Sequence, residues 1–315
     1  MCNLTDPIFT DADKARKHLE AQRWPDGPYC PHCGNADQGR IAKMEGKAHR
    51  PGLYNCRECR KQFSVTVGTV FERSKVPLNK WLLATYLLTS SKKGMSAHQL
   101  HRSIGVTYKT AWFMFHRIRE AMRDGTDGYK ANPKGGLGGK NKVVEADETY
   151  VGGKAKNRAF KAPRPKQAVV SLVERDGKVR SFHVANVSGK NIKPILRTQI
   201  DRASWLMTDE APVYKGVGKE FDGHGSVNHS INEYVRGAFY HTNTVENYFS
   251  ILKRGITGTY HHVSEAHLKR YLAEFDFRHN ERAALGVDDA ERANRALKSI
   301  AGKRLTYRRT SEARL

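Results

Sequence analysis

Val143-Val-Glu-Ala-Asp-Glu-Thr-Tyr-Val151 is the stretch on which the fold turns. Read as a strand, its alternation sends Glu145, Asp147 and Thr149 to one face and Val144, Ala146 and Tyr150 to the other. Ionised groups in the middle of a buried strand are costly without a compensating cation, so this strand predicts a site as well as a sheet. Strand-like runs follow at 167–175 and 179–187, separated by Asp176-Gly177 as in a hairpin. A helix is expected over 191–200, a strand over 205–208 ending in Asp209, another strand near 226–229, and helices over 242–256 and 264–282. Together these predict an α/β domain over residues 142–285.

Upstream of it, residues 127–141 are rich in Gly, Lys and Asn with almost nothing to bury, and read as a linker. Before the linker, residues 76–126 hold an apolar run from Leu78 and then two helices broken at Gly105. Ser96 caps the first helix, and Thr107 caps the second. Ala97, Leu100 and Ile104 pack the first against Val106, Ala111 and Trp112 of the second, which is the grammar of a helix-turn-helix. Tyr108, Lys109 and Thr110 would face outward at the start of the second helix, with Arg117 further along as a fourth DNA-binding candidate.

Residues 25–75 contain Cys30-Pro-His-Cys33 and Cys56-Arg-Glu-Cys59. Two C-x2-C knuckles supply four thiolates, the tetrahedral soft-ligand set that one structural Zn²⁺ prefers, whereas redox chemistry would need only one pair. An aromatic stands before each knuckle and Gly34 after the first, as in a zinc ribbon. Cys2 falls outside the pattern and is read as a bystander. Residues 1–24 are a helical lead-in, and residues 286–315 are expected to be a basic C-terminal tail.

A formal net charge of +23 over 315 residues points to a polyanionic partner, and double-stranded DNA leads. The longest apolar stretch, near Trp81, is far short of the roughly 20 residues a spanning helix needs, so no membrane role is expected. Residues 1–24 mix acids and bases with no apolar h-region. The chain is therefore expected to work in the cytoplasm, on a bacterial nucleoid, where thiols are better metal ligands than disulfide partners.

Asp147, Asp209 and Glu246 are the carboxylates that matter most. On the helix over 242–256, Val245, Phe249, Leu252 and Ile256 fall in one stripe, and Glu246 and Lys253 point almost the same way beside it. Two Asp and one Glu from two strands and a helix are the oxygen ligands that a pair of Mg²⁺ (or Mn²⁺) ions needs for phosphoryl transfer. Lys253 would meet a DNA phosphate.

The spacing of 62 residues from Asp147 to Asp209 and 37 from Asp209 to Glu246 resembles the DDE transposase and integrase superfamily, with its RNase H-like fold. Glu145-Ala-Asp-Glu-Thr-Tyr-Val-Gly-Gly-Lys154, Thr208-Asp-Glu210, His241-Thr-Asn-Thr-Val-Glu-Asn247, Leu252-Lys-Arg-Gly255 and Glu274-Phe-Asp-Phe-Arg-His-Asn280 are similar to the ISXO-like group of zinc-ribbon bacterial insertion-sequence transposases. The resemblance implies Asp147, Asp209 and Glu246 as metal ligands and Lys253 as the associated basic residue of the catalytic set. Asn243 and Asn247 stand beside Glu246 as alternatives for its role. It also implies binding to the terminal repeats of the element, cleavage and transfer into target DNA, and a homodimer or larger assembly. A DNA-binding regulator that has lost its site is the other reading; absence of one carboxylate would favour it, and all three are present.

Overall fold

Asp6 and Asp11 open the first two helices, α1 (Pro7–Thr10) and α2 (Ala12–Arg23), by accepting from the backbone N–H groups that a helix start leaves unpaired. The computed structural model describes residues 4–124, 136–152, 165–227, 235–236 and 239–306. Contacts divide the chain into one unit of Met1–Met122 with Arg282–Leu315 and a second of Arg123–Glu281. Cys2 and residues 127–135 of the expected linker lie outside the described residues.

In the first unit α2 buries Ala15 and Leu19 and leads into Trp24. An antiparallel sheet of order β1-β2-β3 follows, made of β1 (Ile41–Met44), β2 (Leu53–Cys56) and β3 (Gln62–Phe63). So small a sheet buries little on its own, and its core is aromatic. Trp24 meets Tyr54 edge-on at 5.3 Å and Phe63 at 5.9 Å, while Tyr54 and Phe63 stack at 5.6 Å. Three helices complete this stretch: α3 (Leu78–Ser90), α4 (Ala97–Ile104) and α5 (Tyr108–Met122). Ser96 caps α4 through the Gln99 N–H at 3.1 Å. Gly105 ends it at φ 62°, a left-handed position that glycine takes without steric cost.

The second unit is built on a five-stranded mixed sheet of order β6-β5-β4-β7-β8. Its strands are β4 (Val143–Val151), β5 (Gln167–Glu174), β6 (Val179–Val184), β7 (Trp205–Thr208) and β8 (Gly223–Ser226). The first three are antiparallel, and β7 and β8 run parallel to β4. Helices α6 (Gly189–Gln199) and α7 (Pro212–Gly218) cover one face, where Val144, Ala146 and Leu172 meet Ile192, Leu196 and Tyr214. A short hairpin of β9 (Val235–Arg236) and β10 (Tyr240–His241) precedes α8 (Asn243–Gly255) and α9 (Glu265–Asn280). These two helices seal the other face, packing Val245, Phe249, Leu252, Leu268 and Leu272 on Val169, Val173 and Val179. The central strand β4 is thus covered on both sides, as its sequence requires. Gly225 of β8 leaves room for the hairpin: a Cβ there would come 2.5 Å from the Tyr240 ring.

The expected elements of this unit are present; one is displaced, and the β9–β10 hairpin and α7 are additional. The strand expected near 226–229 is β8, three residues earlier, and 228–229 lie outside the described residues. Helix α7 was not expected, because Gly216 and Gly218 argue against a helix; Tyr214 and Val217, both fully buried, hold it in place.

The expected basic tail over 286–315 is corrected. Asp288 caps a further helix, α10 (Asp289–Lys298), by accepting from the Glu291 N–H at 2.7 Å. This helix returns to the first unit and packs on α3. Gln22 donates to Asn294 at 2.7 Å, Val70 N to Ile300 O at 3.3 Å, and Gly302 N to Gly68 O at 2.9 Å. Its buried side is mostly Ala293, Ala296 and Leu297, which bury area without a strong apolar signal.

Candidate active site and metal centre

The knuckle cysteines come together. Cys30, Cys33, Cys56 and Cys59 place their sulfurs within 4.8 Å of one another, with Cys30 3.6 Å from Cys59 and Cys33 3.7 Å from Cys56. Tight turns make this possible: Gly34 N donates to Cys30 O at 2.9 Å and Cys56 N to Lys61 O at 3.0 Å. Backbone N–H groups of Cys59 and Glu58 and the Asn35 amide favour the Cys56 thiolate, while, against the Asn35 backbone N–H, burial and the neighbouring thiols push Cys33 up, so the set gives up protons when a soft cation binds. Among the described residues this is the one group of three or more His, Cys, Asp or Glu whose ligand atoms converge this closely.

The carboxylates are brought together by the sheet register. Parallel pairing sets Val143 against Trp205, Val144 against Leu206 and Glu145 against Met207, an offset of 62 residues. The same offset, 62 residues, separates Asp147 from Asp209, which lies just past the end of β7 and two residues beyond the last paired position. Burial, and then the carboxylates of Glu148, Asp209 and Glu246, push Asp147 up to about 7, against the opposing Glu148 N–H at 2.7 Å. Negative charge gathered in this way suits a hard divalent ion.

Each of the other two is held locally. Asp209 accepts from the Ala211 N–H at 3.0 Å, and buried Thr208 beneath it meets His224 at 3.0 Å. Glu246 lies exposed in the first turn of α8 and accepts from the Thr242 hydroxyl at 2.9 Å. Asn243 and Asn247 are also exposed. Lys253 is exposed in the last turn of the same helix, about 10 Å further along its axis.

Several residues around this centre went unrecognised in the sequence. Tyr214 donates to Glu148 at 2.5 Å, and burial with that carboxylate holds its phenol well above the usual range, so it stays a donor. Glu148 itself is pushed up by burial and by Asp209. Glu145, fully buried, accepts from Arg175 Nε at 2.7 Å, and Arg175 also donates to the Phe239 and His241 carbonyls, each at 2.9 Å. An acid in a wholly buried strand was the available signal, but nothing local in sequence names its partners.

On the helix pair, Tyr108 is 44% exposed and its ring stacks on His98 at 4.1 Å, while Lys109 is exposed. Thr110 donates its N–H to the Thr107 hydroxyl at 3.2 Å, and the two hydroxyls are 2.9 Å apart, so its side chain takes part in the cap. Arg117 is a correction. It is buried, donates to the Glu72 carbonyl at 3.1 Å and lies over the Phe113 ring at 4.9 Å, so it serves packing and does not face outward. Arg119 is buried too.

No helix among the described residues is long and apolar enough to cross a membrane. Residues 137–280 match the ISXO2-like transposase domain, and residues 10–62 match the transposase zinc-ribbon domain. A protein described as "Uncharacterized protein in transposable element ISH50", from Halobacterium salinarum, is 29% identical over 292 residues, 86% of this chain and 91% of the relative. Among solved structures, a chain of the simian T-cell lymphotropic virus intasome, determined in complex with PP2A regulatory subunit B56 gamma, shares 15% identity. The match covers 60% of this chain and 66% of that one, and at a TM-score of 0.29 it carries no argument.

Proposed function

The chain belongs to the ISXO2-like transposase family and carries that family's zinc ribbon, and from this premise we propose that it binds the terminal repeats of its own element, cuts there and joins the freed end to target DNA. The observation that supports this chemistry is the parallel pairing of β4 with β7 at an offset of 62 residues, the interval between Asp147 and Asp209, together with the influence of the Asp209 and Glu246 carboxylates on Asp147. The strand order β6-β5-β4-β7-β8 agrees with the RNase H-like fold that the sequence resemblance implies.

Asp147, Asp209 and Glu246 are the residues that would hold two divalent ions, Mg²⁺ or Mn²⁺. When bound, such a pair activates the attacking oxygen and neutralises charge on the departing one. The chain's own residues do the rest. Asp147 and Asp209, fixed on rigid strands, define where the scissile phosphate must sit. Lys253 contacts a neighbouring phosphate, and Tyr214 and Glu148 brace the far side of β4. In the first step water attacks phosphorus and the 3′ oxygen leaves as a hydroxyl. In the second that hydroxyl attacks a target phosphodiester, so one P–O bond forms as another breaks.

Recognition of the ends falls to the zinc ribbon and to α4 and α5 as a helix-turn-helix, with Tyr108 and Lys109 toward the DNA. A net charge of +23 supports a DNA partner at the nucleoid. Two ends must be handled together, which calls for a dimer or larger assembly on DNA. The test is a cleavage and strand-transfer assay with Mg²⁺ on DNA carrying the flanking repeats, comparing wild type with Asp147→Ala. Metal-dependent nicking at the ends by wild type alone is expected. Specific end binding by both chains with cutting by neither would make this a DNA-binding regulator.

A further inference from the structure

We propose that Glu145 is the positioning residue of the carboxylate centre, the clamp that sets the helix bearing Glu246 against the strand bearing Asp147. This rests on the reading of Asp147, Asp209 and Glu246 as the metal-holding set.

The start of α8 has an unusual cap. A helix leaves its first N–H groups without intrahelical partners, and a Ser, Thr, Asp or Asn at the cap position ordinarily satisfies one of them. Thr242 occupies that position but makes no side-chain cap bond; its hydroxyl donates to Glu246 at 2.9 Å instead. The orphan groups are met from another element. Oε2 of Glu145, on β4, accepts from Thr244 N at 2.8 Å and from Val245 N at 3.0 Å. Its Oε1 accepts from the Thr244 hydroxyl at 2.9 Å and from Arg175 Nε at 2.7 Å.

Both oxygens of one wholly buried carboxylate are therefore committed, and the geometry they fix is specific. Glu145 lies two residues before Asp147 on the same face of β4, and the N–H groups it binds end one residue before Glu246. Negative charge at a helix N-terminus also complements the helix dipole. Arg175 extends the clamp by donating to the carbonyls of Phe239 and His241, which holds the chain in register as it enters α8. Two carboxylates of like charge would drift apart if nothing held their supports. Glu145 ties those supports together without touching the reacting atoms. Residues that hold metal ligands in this way typically change metal affinity by about 10- to 100-fold when removed.

The experiment is Mn²⁺ binding to the zinc-loaded full chain, followed by calorimetry and by the electron paramagnetic resonance of the free ion, for wild type, Glu145→Ala, Glu145→Gln and Asp147→Ala. Glu145→Ala should weaken Mn²⁺ binding about tenfold or more, and Glu145→Gln, which keeps an acceptor for the helix, should recover part of that. Both should bind terminal-repeat DNA as wild type does. If Asp147→Ala loses the ion while Glu145→Ala binds it unchanged, the clamp is refuted and the metal-holding reading stands. If Asp147→Ala keeps the ion, the metal-holding reading fails, and the clamp fails with it. Should Glu145→Ala not fold, Thr244→Val removes one hydroxyl bond to the carboxylate and should weaken Mn²⁺ binding about two- to threefold; unchanged binding there refutes the clamp equally.

Discussion

The two units each carry candidate metal ligands, four thiols in one and three carboxylates in the other, and they position them by opposite means. In the first unit Cys30, Cys33, Cys56 and Cys59 are set by tight turns within two short segments, and their sulfurs already lie within coordination reach of one another. In the second, Asp147, Asp209 and Glu246 come from a strand, the end of another strand and a helix spread over about a hundred residues, and only the pairing of the sheet and the packing of α8 on it let Asp209 and Glu246 act on Asp147. The ribbon has little core besides its aromatic cluster, so an ion held by its four cysteines would be part of the fold. The sheet unit has apolar layers on both faces and stands without one.

The largest effect that could break this contrast concerns the ribbon. Removing zinc by chelation, or replacing Cys56 with Ser, should unfold it, since structural zinc contributes on the order of 10 kcal/mol. The near-ultraviolet circular dichroism of Trp24, Tyr54 and Phe63 should collapse while the second unit stays folded. An unchanged aromatic signal would mean the ribbon has a sufficient core of its own.

Next in size is Arg117→Ala. Because Arg117 is buried and bonded to the Glu72 carbonyl, its loss should cost about 2–3 kcal/mol of first-unit stability in denaturant unfolding, with DNA affinity of the folded protein nearly unchanged. Lys109→Ala should do the reverse, weakening DNA binding with little effect on unfolding. Weak DNA binding by a fully stable Arg117→Ala would restore that residue to the DNA-binding face.

The smallest effect has the more telling sign. With Asp147 pushed up from 3.8 to about 7, the folded chain holds a proton there that the unfolded chain releases between about pH 4 and 7. Stability from that proton is fully present below the lower limit and lost as pH rises through about 7. In metal-free protein Asp147→Asn should therefore raise stability at pH 8 by about 1–3 kcal/mol and change it little at pH 4. A ligand removed from the ribbon unfolds its unit; a ligand removed from the carboxylate centre steadies its own. Destabilisation by Asp147→Asn at pH 8 would erase the contrast.

How much of this could be read in advance follows the same division. The cysteine pairs, the break at Gly105 and the strand of Glu145 and Asp147 were legible because each is a local pattern. The 62-residue interval from Asp147 to Asp209 was legible as a number, and the structure gives it a cause, since it is the register of β4 on β7. Helix α10 was not legible, because alanines among charges carry a thin apolar signal, nor was α7 with its two glycines. Arg117 looked exposed because nothing in its own helix reveals that the Glu72 carbonyl, 45 residues away, is its partner. Glu145 stood in plain view as an acid on the right face, yet its partners at Arg175, Thr244 and Val245 lie 30 to 100 residues away.

The return of α10 to the first unit has a consequence for how the protein is made. Residues 123–281 are inserted into a unit whose last helix comes after them in the chain. A ribosome reading from the amino terminus therefore releases the whole sheet unit before the segment that buries α3 and closes over Gly68 and Val70 has emerged. The nascent chain carries its complete sheet unit ahead of a finished first unit, and premature termination within 123–281 yields a product lacking α10 and the contacts it makes.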